Sequence, residues 1–240
     1  MSARHKRRTR ARPTALRRKR VPPAGGGAPL KGVSAVFLDR DGTICEEVGY
    51  VNHLDRAQLF PWSAEAIRKL NQAGLPVIVV TNQSGVGRGY FSEDLVKQVH
   101  LKIALELAAA DARLEAFYYC PHHPSAPLVD YKTICRCRKP AIGMLEEAAK
   151  RFNLDLASSF VVGDSYRDVQ LGFNAGARSI MVMTGYGRGE YEHHRKTWPR
   201  PPDMIAENLL EAVEKILGNQ ARRPGPAMRD RSRTRAARSV

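Results

Sequence analysis

The 240-residue chain is long enough for one α/β domain with a sizeable core, but too short for two ordinary domains with extensions at both ends. Of the net charge of +15, residues 1–30 contribute +10 and residues 221–240 contribute +6, so the stretch between them carries −1 and lacks the basic face of a nucleic-acid-binding domain. No apolar run approaches the roughly 20 residues that cross a bilayer, and no secretory signal begins the chain, so we expect a cytoplasmic protein without a membrane partner.

The two ends differ in composition from the rest of the chain. Residues 1–32 combine Arg, Pro, Ala and Gly, and such a segment buries too little apolar surface to offset the entropy of ordering. We therefore expect disordered basic tails over 1–32 and 219–240, flanking one domain over 33–218. These tails would bind nucleic acid weakly and with a strong salt dependence, or not at all.

From residue 33 onward, short apolar runs alternate with amphipathic segments. The apolar runs predict strands at 33–38, 77–80, 116–119, 160–162 and 179–183. The amphipathic segments predict helices at 63–73 with Ser63 as N-cap, from Ser92 to about 107, at 141–152, up to Gly176, and at 203–217. Unbroken apolar strands between helices are typical of a parallel sheet covered on both faces, so we expect a Rossmann-like three-layer α/β sandwich with a mainly parallel sheet.

Polar residues follow directly after several of these strands. The segment DRDGT (39–43) follows the first strand, TNQSG (81–85) the second, and Gly163-Asp164 the fourth. The segment RKP (138–140) precedes the helix at 141. In such folds the ligand lies outside the carboxyl ends of the strands, so we expect these residues to converge on one crevice.

These residue types meet the needs of phosphoryl transfer. Asp39 can attack phosphorus, and a cation held by Asp39 and Asp164 would neutralise the repulsion between two anions. Ligation by oxygen atoms alone favours magnesium. Lys139 and the Thr81 hydroxyl can stabilise charge on the transferring group. Asp41 can protonate the departing alkoxide and then deprotonate the attacking water.

The motifs DRDGT, TNQSG, RKP and GDSYRD occur in this order over about residues 33–185, and the arrangement resembles the haloacid dehalogenase superfamily of phosphatases. The resemblance implies Asp39 as nucleophile and magnesium ligand, and Asp41 as general acid and base that also binds magnesium through its backbone carbonyl. It implies Thr81 and Lys139 as phosphate-stabilising residues and Asp164 as a further magnesium ligand. Asp168, in the last motif, is either a supporting residue of the site or a structural one.

Three of the four cysteines lie close to a histidine, which indicates a metal site before a disulfide. Cys120, Cys135 and Cys137 with His122 form two close pairs joined by a Pro-containing loop, as in a closed tetrahedral zinc site. His123 competes with His122, and the resembling family uses Cys-x-His, which favours His122. Four protein ligands leave no open coordination position, so we expect the zinc to be structural.

Superfamily members with a zinc loop and a minimal cap include the families of heptose 1,7-bisphosphate 7-phosphatases and histidinol-phosphate phosphatases. The segments EVGYV (47–51), TNQSGVGRG (81–89) and YYCPHHP (118–124) resemble the first family more closely. The resemblance implies hydrolysis of the C7 phosphate of a small sugar phosphate through an aspartyl-phosphate, in heptose biosynthesis for lipopolysaccharide or another glycan. We expect a monomer. By the same resemblance the substrate-binding residues are Glu47, Val48, Gly49, Tyr50, Thr81, Asn82, Gln83, Ser84, Arg138, Lys139 and Ser165.

Three alternatives stay open on the sequence. A histidinol-phosphate phosphatase or a polynucleotide 3′-phosphatase would share the chemistry, and the second needs a basic groove that the sequence does not show. A non-enzymatic nucleic-acid-binding protein would use the tails and the zinc loop, and the charge of −1 between the ends opposes it.

Overall fold

The computed structural model describes residues 32–221. Its strands are β1 (Val36–Leu38), β2 (Val77–Asn82), β3 (Ala116–Cys120), β4 (Phe160–Gly163), β5 (Arg178–Val182) and β6 (Met204–Ala206). Its helices are α1 (Ser63–Gln72), α2 (Glu93–Ala109), α3 (Gly143–Phe152), α4 (Tyr166–Ala175), α5 (Gly187–His194) and α6 (Leu209–Ala221). The predicted disordered tails lie outside the described residues except at their inner ends, where α6 continues past the predicted domain end at residue 218.

The six strands form one parallel sheet in the order β3-β2-β1-β4-β5-β6. From β1 the chain builds outward through β2 to β3, and then returns to add β4 on the other side of β1. The carboxyl ends of β1, β2 and β4 therefore lie side by side where the strand order changes direction, which is the usual ligand position in such sheets. The predicted Rossmann-like sandwich with a parallel sheet is confirmed.

Successive side chains of the central strands point to opposite faces of the sheet, so a hydrophobic core forms on each face. On one face Leu38 and Val79 pack in a cluster with residues of α1, α2 and α6. On the other, Phe37 and Ile78 pack in a cluster with residues of α3 and α4. This double burial explains why the strands read as continuous apolar runs. No helix within 32–221 is long and apolar enough to cross a bilayer.

Two local predictions require correction. Ser63 does not cap α1: Trp62 holds the N-cap position, and the buried Ser63 hydroxyl donates to the Ile44 carbonyl at 2.7 Å. The predicted helix at 203–217 begins too early, because residues 204–206 form β6 and pair with β5. The Asp203 carboxylate accepts from the Ser179 backbone N–H at 2.8 Å, which holds this segment extended against the sheet. By contrast, Ser92 caps α2 as predicted, accepting from the Leu95 N–H at 3.2 Å.

Candidate active site

The carboxyl ends of the central strands open into a cavity of about 310 Å³. Most of the sequence-predicted site residues line it: Asp39, Asp41, Glu47, Gly49, Tyr50, Thr81, Asn82, Ser84, Arg138, Lys139, Asp164 and Ser165. Four further residues that the sequence reasoning missed also line it, namely Arg88, His123, Arg167 and Tyr186. The volume suits a small molecule of sugar-phosphate size.

Two residues of the predicted substrate-binding set do not line the cavity. Val48 packs against the hydrophobic core, and its carbonyl accepts from the Arg56 guanidinium at 2.7 Å. Gln83 is 4% exposed and turns its amide toward protein groups. The prediction that these two residues line the pocket is therefore corrected, because the Val48 side chain packs on the core and the Gln83 amide is engaged by Asp41 and Thr81.

Asp39 lies at the bottom of the cavity, directly after β1. Its Oδ1 lies 2.9 Å from Lys139 Nζ and accepts from the Arg40 backbone N–H at 2.7 Å. Burial raises the pKa of Asp39 to about 6, although Lys139 opposes the rise. A carboxylate that faces the cavity beside an ammonium group can serve as a nucleophile toward a bound phosphate.

Lys139 is fixed between two acids. Its Nζ lies 2.6 Å from Asp168 Oδ1 as well as 2.9 Å from Asp39 Oδ1. Burial alone would lower the pKa of Lys139, but Asp168 and Asp39 raise it above its ordinary value, so the ammonium stays charged. Asp168 also accepts from the Ser165 hydroxyl at 2.8 Å, so this carboxylate supports the lysine from behind.

Asn82 holds the Lys139 backbone in place. Its Oδ1 accepts from the Lys139 N–H at 3.0 Å, and its Nδ2 donates to the Lys139 carbonyl at 3.3 Å. The end of β2 is thereby joined to the segment that precedes α3. This contact explains how a lysine far along the sequence reaches a carboxylate at the end of β1.

A group of three carboxylates fits a divalent cation. One oxygen from each of Asp39, Asp164 and Asp168 lies within 4.8 Å of the others. Burial, followed by the charges of Asp39 and Asp168, raises the pKa of Asp164 to about 9, as expected for a buried acid beside other acids. All donors are oxygen atoms, which suits magnesium. The magnesium contact through the Asp41 carbonyl stays a prediction.

A glycine is required at position 42, beside the three carboxylates. Its φ is +75°, and a Cβ there would lie 2.0 Å from the Asp164 Oδ2 atom. The chain after Asp39 can therefore turn across Asp164 only with a glycine at this position.

Asp41 is held by a buried arginine. Arg40, 1% exposed, donates from Nε to Asp41 Oδ1 at 2.9 Å and from Nη2 to Oδ2 at 2.6 Å. The Gln83 amide donates to the same Oδ2 at 2.8 Å. The carboxylate remains at the cavity surface, with its side chain 16% exposed. The predicted acid and base group is thus fixed in a defined orientation next to Asp39.

Three arginines at the cavity surround one histidine. Arg88 Nη2 lies 3.3 Å from His123 Nε2, and Arg138 donates to the His122 carbonyl at 3.2 Å. Burial and then the charges of Arg138, Arg88 and Arg167 lower the pKa of His123. Within the described part of the chain, none of the three guanidinium groups has a carboxylate oxygen within 4.0 Å. They form a cationic group without protein counter-charges, as at an anion-binding site.

The segment 120–137, which we call the metal loop, brings together the Cys and His side chains. Cys120 Sγ lies 3.5 Å from Cys135 Sγ and 3.7 Å from His122 Nδ1, while Cys137 Sγ lies 3.2 Å from Cys135 Sγ and 3.3 Å from His122 Nδ1. A tetrahedral site with zinc–sulfur bonds of about 2.3 Å has donor separations of roughly 3.7 Å. The cluster therefore fits a tetrahedral metal ion, and His123 lies outside it at the cavity.

Glu93 fastens the metal loop to the domain. Its two carboxylate oxygens accept from the Tyr119 hydroxyl at 2.5 Å and from the Tyr131 hydroxyl at 2.9 Å. The Tyr131 carbonyl in turn accepts from the His123 N–H at 3.1 Å. The loop wall of the cavity is thus tied to the start of α2.

Known proteins resemble this chain in sequence and in fold. A family described as HAD-hyrolase-like matches residues 136–212. A D-glycero-D-manno-heptose-1,7-bisphosphate 7-phosphatase of Thermosynechococcus vestitus is 44% identical over 197 residues, covering 79% of this chain and 98% of the relative. The D-glycero-beta-D-manno-heptose-1,7-bisphosphate 7-phosphatase of Escherichia coli K12 is 40% identical over 157 residues, covering 65% of this chain and 82% of the relative.

A solved structure resembles the whole described domain. The D,D-heptose 1,7-bisphosphate phosphatase of B. bronchiseptica, complexed with magnesium and phosphate, superposes with a TM-score of 0.68 and 33% identity. The match covers 78% of this chain and 99% of that protein.

Proposed function

We propose that this chain, which belongs to the D-glycero-D-manno-heptose 1,7-bisphosphate 7-phosphatases of the haloacid dehalogenase superfamily, has the reaction of that family. In this reaction the enzyme removes the C7 phosphate of D-glycero-D-manno-heptose 1,7-bisphosphate. As a member of this family, the chain is a phosphoric monoester hydrolase. Its location in the cytoplasm and its monomeric state stay predictions.

The observation that carries the proposal is that two sets of cationic groups that can bind an anion line one cavity. At its bottom, Lys139 and the Asp39 carboxylate face the place of a transferring phosphate. In the same cavity, Arg88, Arg138 and Arg167 lack carboxylate partners among the described residues. A substrate with one phosphate would leave the arginine group unused, whereas a bisphosphate of a seven-carbon sugar would fill both.

The first half-reaction transfers the phosphoryl group to the protein. An Asp39 oxygen forms a bond to phosphorus while the bond between phosphorus and the C7 oxygen breaks. Asp41 gives its proton to the leaving oxygen, so that the sugar departs as an alcohol. Lys139 and Thr81 stabilise the charge on the phosphoryl oxygens as they move between the two partners.

The second half-reaction restores the carboxylate. A water oxygen attacks phosphorus, and Asp41 takes the proton that the water loses. The bond between phosphorus and Asp39 breaks, which releases inorganic phosphate and returns Asp39 as a carboxylate. Asp41 thereby regains the proton that it gave to the leaving oxygen, so the cycle closes with no net proton change at Asp41.

Two metals complete the proposal. Asp39 and Asp164, with the Asp41 carbonyl, would hold magnesium, which when bound supplies positive charge that offsets the repulsion between the nucleophile and the phosphate. Cys120, His122, Cys135 and Cys137 would hold a structural zinc. The two metal sites differ in access, because the magnesium site must admit the substrate whereas the zinc site only fixes the metal loop.

We place the C7 phosphate at Asp39 because this phosphate can extend away from the sugar ring. A primary phosphate on an exocyclic carbon can extend to Asp39 at the cavity bottom while the sugar ring stays at the mouth. The anomeric phosphate then lies near Arg138, whose guanidinium can make two parallel hydrogen bonds to it.

A phosphate-release screen tests the assignment. Purified protein with added magnesium would be given heptose 1,7-bisphosphate, fructose 1,6-bisphosphate, histidinol phosphate and a 3′-phosphorylated oligonucleotide. We expect the highest kcat/KM on heptose bisphosphate, with one phosphate released per molecule. Preference for histidinol phosphate or the oligonucleotide would overturn the substrate assignment, and release from none of them would overturn the phosphatase proposal.

A further inference from the structure

Gln83 connects two parts of the candidate site. It follows β2 directly, and its backbone N–H donates to the Cys120 carbonyl at 2.8 Å. Its side-chain Nε2 donates to Asp41 Oδ2 at 2.8 Å and to Thr81 Oγ1 at 3.0 Å. Both protons of one amide group are therefore engaged, one by a carboxylate after β1 and the other by a hydroxyl on β2. With 4% exposure and no place in the cavity wall, Gln83 does not contact the ligand space.

The bond to Thr81 fixes the direction of its hydroxyl. Because Oγ1 accepts a hydrogen bond from the Gln83 amide, the Thr81 hydroxyl proton must point elsewhere. Thr81 is 1% exposed and lines the cavity, so that proton can be directed at a phosphoryl oxygen. Gln83 thus makes Thr81 a donor toward the substrate.

The hydrogen bond from Gln83 to Asp41 holds the carboxylate through a residue that is distant in sequence. Arg40, its neighbour in sequence, holds both Asp41 oxygens, and Gln83 adds a contact that comes from the next strand. Removal of this contact leaves the carboxylate fixed only by the adjacent residue. A displacement of about 1 Å in a reacting group costs on the order of 10²-fold in rate.

We propose that Gln83 is a positioning residue that aligns the Asp41 carboxyl and the Thr81 hydroxyl for phosphoryl transfer, without contacting the substrate. The inference rests on the proposed phosphatase function. Its effect falls on the step in which the ester bond breaks and the Asp41 proton moves to the leaving oxygen.

The test varies the leaving group. The full chain and its Gln83→Met variant would be compared, with magnesium added, on p-nitrophenyl phosphate and on a primary alkyl phosphate. Nitrophenolate departs without a proton, whereas an alkoxide needs one, and kcat/KM reports the steps up to its departure. We expect Gln83→Met to lower kcat/KM by about 10²-fold on the alkyl phosphate and by less than about 10-fold on the aryl phosphate.

A matched control and a second variant keep the test decisive. Gln98→Met places the same substitution at an exposed position of α2 and should change neither value. If Gln83→Met does not fold, Gln83→Leu removes both donors without adding a charge beside Asp41, and the same difference between substrates is expected. Equal losses on the two substrates in the folded variant would overturn the proposal. Absence of phosphate release by the unaltered chain would instead overturn the proposed function.

A double-mutant cycle separates positioning from general damage. If Gln83 acts through Asp41, adding Gln83→Met to Asp41→Asn should cost less than about 10-fold on the alkyl phosphate, because the group that it aligns has already been lost. Losses that multiply in full would show that Gln83 acts independently of Asp41 and would overturn the proposal.

Discussion

The strand-end half of the cavity and the metal loop are built by different forces. Asp39 and Asp164 follow strands, and Thr81 lies near the end of one, and these strands are paired on both sides and packed between two hydrophobic clusters. Apart from the 3-10 turn Val129–Tyr131, the loop between β3 and α3 has no regular secondary structure, and the Cys/His cluster and the Glu93 contact hold it. In the proposed mechanism, the nucleophile thus lies where the sheet fixes geometry, and the loop would contribute to substrate recognition.

The largest effect is expected in the strand-end half. Asp39→Asn should reduce phosphate release below about a tenth of the unaltered value on every substrate, because the amide keeps the shape and loses the nucleophile. Activity and melting temperature would be measured together, since the fold should be unaffected. Greater residual activity would contradict the role of Asp39 as nucleophile.

A change in the metal loop should reduce stability before it reduces chemistry. Cys135→Ser should weaken metal binding and lower the unfolding free energy, and a loss of about 2 kcal/mol would lower Tm by roughly 4–8 °C for a domain of this size. Below that temperature, hydrolysis of p-nitrophenyl phosphate should persist while kcat/KM for the bisphosphate falls.

Elemental analysis and thermal melts check this second prediction. The unaltered chain should contain about one zinc that mild chelation leaves bound, whereas magnesium must be added for activity. Cys45→Ala serves as the control, because Cys45 lies in the core and outside the cluster, and should leave the zinc content unchanged. An apoprotein with the same Tm as the zinc form would contradict the structural site.

A smaller and selective effect is expected where the two halves meet. Arg138→Lys should lower kcat/KM for the bisphosphate by about 10-fold, equivalent to roughly 1.4 kcal/mol, because a lysine cannot make two parallel hydrogen bonds to one phosphate. A small monophosphate should be hardly affected. Arg136→Lys is the matched control, since Arg136 is exposed and pairs with Glu146 outside the cavity. Equal losses on both substrates would place Arg138 at the transferring phosphate.

The smallest effect should come from the charged ends of the chain. Deletion of residues 1–30 and 222–240 should change kcat and KM for a small substrate by less than about 2-fold, because charges beyond about 10 Å are screened at moderate salt. Steady-state kinetics at physiological ionic strength test this expectation. A large loss of activity would show that one end contributes to the cavity.

The sequence predicted the fold well where burial is continuous. The first five strands were expected because both faces of the sheet are covered, which produces runs such as Val77–Val80 in the sequence. The strand β6 was missed because its residues directly precede the amphipathic segment of α6 and were assigned to that helix, whereas its extended shape depends on the Asp203 contact with Ser179. Helix α5 was missed because it begins at Gly187 and has few apolar residues.

The candidate site was predictable where residues follow strands directly. Asp39, Thr81 and Asp164 meet in the cavity because parallel strands end at the same edge of the sheet. Arg88 and Arg167 were missed because loop geometry and a helix start bring them to the cavity, and nothing in their local sequence shows this direction. The role of Gln83 also depended on three-dimensional contacts, since its position in TNQSG says nothing about which way its amide points.

The two ends of the metal loop meet in the Cys/His cluster, so the loop is a segment whose sequence can be exchanged. Cys120 closes β3 and Cys137 precedes the RKP segment, yet both belong to one Cys/His cluster, so the chain between them leaves and rejoins the domain at neighbouring points. Loop-closure cost rises by only about 0.6 kcal/mol for each doubling of length, so insertions between the cluster residues should be tolerated. Under the proposed function, variants of this loop should alter recognition of the anomeric phosphate while the carboxylates at the strand ends and Lys139 stay as they are.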